Sequence, residues 1–144
     1  MLLKFRNVLF FLFLVLSMSL TSTVSCQNFI GFTKLQVRKS VRDSLPGFYF
    51  VKEVTNGDRS FLKYENTLEE QTILFIINRS GVCTAINRMY NFIEREAVEK
   101  ELSTKYHKSS KNVWRFRQGG RDYVAILKED EWFLKLIIKS RKTK

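Results

Sequence analysis

The sequence predicts an α+β fold in which two helices pack on one face of an antiparallel sheet. Two stretches carry apolar residues at helical spacing, and the runs between and after them alternate or form short apolar blocks, separated by Gly-containing turns. Helices segregated to one face of such a sheet bury both patterns at once.

The first helix opens at Gly31-Phe32-Thr33-Lys34-Leu35-Gln36-Val37. Thr33 can accept from the amide of Gln36 while the Gln36 side chain reaches back, the reciprocal pattern of a capping box, and Phe32 and Val37 are spaced for a hydrophobic staple. Val37, Val41 and Leu45 continue one face at intervals of four, and Pro46-Gly47 ends the helix. Phe48 to Val54 and Ser60 to Asn66 read as strands around Thr55-Asn56-Gly57-Asp58, where Asn-Gly favours the positive φ of a tight hairpin. Gln71 to Asn78 carries Ile73, Phe75 and Ile77 on one side and Leu74 and Ile76 on the other, the pattern of a central strand covered on both faces. Beyond Arg79-Ser80-Gly81, Val82 to Tyr90 reads as a fourth strand, although Ile86 and Met89 would also suit an early helix.

Asn91 is the expected cap of the second helix, with Glu94 and Glu96 near the positive end of its dipole and Lys105 to Lys108 beyond the negative end. Ile93, Ala97, Val98 and Leu102 form its expected buried stripe. Glu96/Lys100 and Glu101/Lys105 are spaced as surface pairs worth roughly 0.2 to 0.5 kcal/mol each. Three strands complete the chain: Asn112 to Gln118, Asp122 to Lys128 after the Gly119-Gly120 turn, and Trp132 to Lys139 after a short acidic turn. Alternation directs Trp114 and Phe116 inward and Arg115 and Arg117 outward, and gives Trp132, Leu134, Leu136 and Ile138 a common face.

Helix, strand, Gly turn, strand, acidic turn and long strand occur over 33–78 and again over 92–139. Residues 70–77 lie over 131–138 without a gap, and Gly57-Asp58-Arg59 resembles Gly120-Arg121-Asp122, so a tandem αβββ repeat is expected within a single domain over 29–139. Residues 140–144 read as a frayed basic tail.

Residues 1–25 read as a secretory signal peptide. Lys4 and Arg6 supply the positive start, and the apolar run Val8 to Leu16, extended by Met18 and Leu20, is closed early by Ser17, Ser19 and the Thr/Ser-rich 21–25. A transmembrane helix needs about 20 mostly apolar residues. The expected cut falls before Cys26 or before Gln27. Thr-Val-Ser-Cys at 23–26 also resembles a bacterial lipobox, in which Cys26 would be acylated, although Thr23 stands where that motif usually has Leu. The expected location is outside the cytosol: periplasm, outer membrane or extracellular, with membrane association only if Cys26 is acylated.

A tandem helix-plus-strands unit behind an export signal resembles the small envelope proteins of the BamE/SmpA type and the beta-lactamase inhibitor protein fold. Gly-Phe-Thr-Lys-x-x-Val at 31–37 is similar to the Gly-x-Thr-x-x-x-Val helix start of the first group. The second half, with Gly81-Val82-Cys83, Tyr106, Trp114, Tyr123 and Trp132-Phe133, resembles small exported proteins of Bacteroidetes-type bacteria. These resemblances imply binding work in the cell envelope and bring no catalytic residues with them.

No reaction is legible. His107 is the only histidine and has no partner at ligand spacing, so neither a zinc site nor any other metal or cofactor site is expected. Neither a Gly-x-Ser-x-Gly elbow nor a phosphate-binding Gly-rich loop occurs. Cys83 reads as a small buried hydrophobe, with a bridge to Cys26 as the alternative in an oxidising compartment. Glu69-Glu70 and Glu129-Asp130-Glu131 fall at expected hairpin turns, where charge is solvated, and Asn78-Arg79-Ser80 reads as a turn.

Charge is the main functional pointer. Lys and Arg outnumber Asp and Glu by 25 to 14, a formal net charge of +11, and loss of Lys4 and Arg6 with the signal leaves +9. If Arg115, Arg117, Lys135 and Lys139 share the outward face, they form a basic sheet surface for an envelope protein, anionic lipid headgroups or charged glycans. Trp114-Arg115-Phe116-Arg117 interleaves aromatic and basic residues as nucleic-acid binders do, but export argues against that partner. The expectation is therefore an exported, non-enzymatic binding domain. A structural outer-membrane-associated lipoprotein and a small secreted hydrolase are its alternatives.

Overall fold

The computed structural model describes residues 28–141. The expected signal peptide, Cys26 and residues 142–144 of the expected tail lie outside the described residues.

Helix α1 (Lys34–Ser44) leads into strands β1 (Tyr49–Asn56), β2 (Arg59–Asn66), β3 (Gln71–Ile77) and β4 (Cys83–Tyr90). A 3-10 turn (Phe92–Glu94) and helix α2 (Arg95–Lys105) lead into β5 (His107–Ser110), β6 (Val113–Gln118), β7 (Arg121–Glu129) and β8 (Leu134–Ser140). All eight strands form one antiparallel sheet in the order β1-β2-β3-β4-β8-β7-β6-β5. Two helices on an antiparallel sheet is the architecture the sequence predicts.

The strands are more numerous than expected. Each helix is followed by four strands, and the fourth strands, β4 and β8, pair at the centre. The expected αβββ unit omits β4 from one set and β5 from the other, and the overlay of 70–77 on 131–138 matches a third strand with a fourth. β5 escapes a search for alternation because its residues, His-Lys-Ser-Ser, are all exposed; in the sheet it pairs with β6 alone, His107 opposite Arg115 and Lys108 opposite Trp114.

Helix α1 starts where its caps dictate. The Gln36 amide donates to Thr33 Oγ1 at 3.3 Å and the Thr33 amide donates to Gln36 Oε1 at 2.8 Å, satisfying two N–H groups the first turn leaves unpaired. Val37, Val41 and Leu45 are buried against the sheet. The second helix departs from expectation. Asn91 caps the 3-10 turn, accepting from Ile93 N at 3.1 Å, and this tighter turn shifts the phase so that Ile93 points to solvent and Ala97 is exposed. Val98 and Leu102 remain buried. Glu101 pairs with Lys105 at 2.7 Å as expected, but the other i,i+4 pair is Arg95 with Glu99 at 2.9 Å and not Glu96 with Lys100.

The core is one cluster between the helices and a single face of the sheet: Val37 and Val41 from α1, Val98 and Leu102 from α2, and inward residues such as Leu62, Phe75, Trp114, Leu127 and Leu136 from the strands. Phe29, ahead of α1, closes it with its ring 5.0 Å from that of Phe75. Trp114 is fully buried, and its Nε1 donates to Ser103 Oγ of α2 at 3.0 Å, so the largest core side chain also fixes the helix against β6.

Two expectations about the sheet are corrected. β3 is central but covered on one face only: Ile73, Phe75 and Ile77 are buried, while Leu74 and Ile76 are half-buried on the face that carries no helix. Trp132 does not join the face of Leu134, Leu136 and Ile138; it lies in the β7–β8 turn and is 80% exposed. The strand begins two residues later than its hydrophobicity suggests.

Truncating Trp114 to Ala removes a buried aromatic and leaves Ser103 without its partner, so urea unfolding is expected to lose about 3–5 kcal/mol. Arg115→Ala, one residue away on the other face, is expected to stay within about 0.5 kcal/mol.

Candidate binding surface

Residues directly opposite one another in an antiparallel pair share a face. The face away from the helices can therefore be read across the sheet as transverse rows. One row runs Val54, Phe61, Ile76, Ala85, Lys139, Val124, Arg115, His107 from β1 to β5. The next runs Lys52, Lys63, Leu74, Asn87, Ile137, Ile126, Val113. The third runs Tyr49, Glu65, Thr72, Met89, Lys135, Lys128. Phe61, Leu74, Ile76, Ile126 and Ile137 form a half-buried apolar centre, and lysines and arginines stand around and within it. Among the described residues no helix or strand covers this face.

All four basic residues singled out from the sequence lie on it. Arg115 and Lys139 flank Val124, and Lys135 stands between Met89 and Lys128. Arg117 sits at the margin, opposite Asp122, with Nε 3.8 Å from the carboxylate and Nη2 donating to the Gly120 carbonyl at 3.4 Å. Lys128 of β7 joins them, as do Lys52 and Lys63, which escape a reading confined to the last strands. The apolar centre is legible as the second side of β3, although its pattern predicts a buried layer there.

Lys63 is tied to Glu65, Nζ to Oε1 at 2.5 Å, and that ammonium, with Tyr49 Oη donating to the same carboxylate at 3.4 Å, holds the Glu65 carboxyl below the usual carboxylate range. At one end of the face a hollow of about 490 Å3 is bordered by Lys63, Thr72, Leu74, Met89, Trp132 and Phe133. Trp132, the exposed aromatic of the β7–β8 turn, forms its wall. A partially dry floor, a large aromatic wall and lysine margins suit the anchor side chain of a bound partner.

Among the described residues the groups capable of chemistry are dispersed. His107 is exposed on the edge strand β5. Cys83 is buried in β4 on the helix side, four strand spacings away, or roughly 19 Å. Glu69-Glu70 and Glu129-Asp130-Glu131 are exposed at the β2–β3 and β7–β8 turns. No three His, Cys, Asp or Glu among the described residues come together as a metal site, and no described helix is long and apolar enough to cross a membrane. Asn78 closes the β3–β4 turn, its Oδ1 accepting from Val82 N at 3.0 Å.

Cys83 is a free thiol whose Sγ donates to the Ala85 carbonyl at 3.5 Å, and burial pushes its pKa up to about 12. A thiol held neutral in this way is a poor nucleophile at physiological pH. It serves as a core side chain, opposite Ile77.

No family model matches the chain, and no curated protein or solved structure matches it either.

The raised thiol pKa has a sign. The unfolded chain ionises Cys83 near pH 8.5 and the folded chain near 12, so its contribution is intact below about pH 8.5 and is lost as pH rises toward 12. The stability difference between the native chain and Cys83→Ala is expected to shrink steadily between pH 8.5 and 11 in urea titrations. Iodoacetamide is expected to label Cys83 only after denaturation.

Proposed function

We propose that this chain is an exported, non-enzymatic interaction domain of the cell envelope or secreted fraction that binds an acidic protein partner through the uncovered face of its sheet. The observation that carries the reading is the composition of that face: half-buried apolar residues, Phe61, Leu74 and Ile76 on one side of Asn87 and Ile126 and Ile137 on the other, set among Lys52, Lys63, Lys128, Lys135, Lys139 and Arg115. Protein interfaces combine an apolar core with a polar, charged rim. A charged glycan would use the cations alone and leave the apolar centre wet. The net positive charge steers an acidic partner toward the chain, and the dry centre supplies the affinity. The two helix-plus-four-strand sets, entering the sheet from opposite edges, further support an origin by internal duplication.

The test is site-specific photo-crosslinking. A photoreactive residue at position 137 is expected to trap one protein in cells, and one at Leu35, exposed on α1, is expected not to. With the trapped protein purified, the triple charge reversal at Arg115, Lys135 and Lys139 is expected to weaken binding at least tenfold and flatten its salt dependence. Trp132→Ala is expected to weaken it about tenfold with an unchanged urea midpoint. Equal adducts at positions 35 and 137, or uptake by anionic vesicles as strong as by the trapped protein, would overturn the assignment.

A further inference from the structure

The two edges of the sheet are unlike. β5 is four residues long and wholly polar, the usual form of a protected edge. β1 is eight residues long, and Tyr49, Phe50, Val51 and Val54 on it are 38–47% exposed. Its protection amounts to one irregularity between Phe50 and Lys52 and the charges of Lys52 and Glu53, the latter paired with Lys34 and Arg38 of α1. A long edge with exposed aromatic and β-branched residues presents a row of unpaired N–H and C=O groups to any strand that approaches.

A second feature lies beside it. Between α1 and the helix side of β1 is a hollow of about 420 Å3, bordered by Val41, Leu45, Phe50 and Tyr64 with Arg38 and Arg42 among its walls. The Arg38 guanidinium lies 4.6 Å from the centre of the Phe50 ring and donates to Glu53 at 3.1 Å. The Arg42 side chain is 77% exposed and is paired with the adjacent Asp43 at 3.4 Å. The edge thus offers backbone pairing and, on one side, an apolar hollow with a guanidinium available for a carboxylate.

A second copy of the chain fits poorly. A two-fold axis pairing β1 with β1 preserves the faces of the sheet, so its centred registers set Lys52 opposite Lys52 or Glu53 opposite Glu53, and like charges directly opposite are destabilising. Pairing β1 with β5 of another copy brings Lys108 toward the side of Arg38 and Arg42. The charge favours a foreign, acidic strand.

We infer that β1 is an acceptor edge for an extended acidic segment of another polypeptide, which adds as a ninth strand. Main-chain hydrogen bonds hold it, one aliphatic or aromatic side chain fills the hollow between α1 and β1, and a neighbouring Asp or Glu meets Arg42. This edge shares Tyr49, Lys52 and Val54 with the margin of the uncovered face, but the inference does not depend on the partner proposed there.

The test pans the full chain with a phage library of random twelve-residue peptides and titrates one selected peptide made synthetically. Selected peptides are expected to alternate apolar residues with Asp or Glu. On binding, amide exchange is expected to slow in β1 and not in β5. Arg42→Glu, at an exposed position, is expected to raise Kd at least tenfold with an unchanged urea midpoint, whereas Arg115→Glu on the uncovered face leaves Kd unchanged. Failure to select peptides, selection of basic ones, protection elsewhere than β1, or indifference to Arg42→Glu would each overturn the inference. So would a peptide-free dimer already protected along β1, which would make a second copy the occupant.

Discussion

Two helices must keep eight strands dry, and they suffice for one face only. Each helix has eleven residues and is about 16 Å long, whereas eight strands side by side span roughly 34 Å. Lying over opposite halves of the sheet, α1 and α2 seal one face around Phe75, Trp114 and Leu136 and leave none of the described helical surface for the other. The strands keep a period of two, so every buried residue on one side has a neighbour on the far side that must tolerate water or meet a partner. The mixed apolar and basic character of that far side follows from this shortage of cover.

Much of the fold is legible because local signals and packing agree. The α1 caps, the Gly turn between β1 and β2, and the inward positions of Trp114, Leu134, Leu136 and Ile138 follow from spacing alone. The errors share a physical source. Alternation reports that a strand has two sides but not what lies over each, so β3 reads as doubly covered. Hydrophobicity cannot distinguish a strand residue from one at the tip of a turn, hence Trp132, and a 3-10 turn ahead of α2 changes the phase that Ile93 was expected to follow. β5 has no apolar pattern because it is held by a neighbour's backbone rather than by burial.

The candidate surface is half legible for the same reason. Arg115, Arg117, Lys135 and Lys139 can be placed outward from their own strands. The company they keep cannot, because β4 pairs with β8 across an intervening helix and three strands, and only that pairing brings Leu74 and Asn87 alongside Ile137. Lys52 and Lys63 belong to the same face only once the strand order is known.

That central pairing also orders events during synthesis. Of the eight described strands β8 is the last to be made, yet it occupies the middle of the sheet, laid between β4 and β7. Until residues 134–140 are free to dock, one side of β4 has no neighbour and β5, β6 and β7 have nothing to join. Contacts so distant along the chain close slowly and expose sticky intermediates while they wait. The nascent polypeptide must therefore be shielded until β8 has been delivered, and a copy cut before residue 134 loses the middle of the sheet rather than an edge.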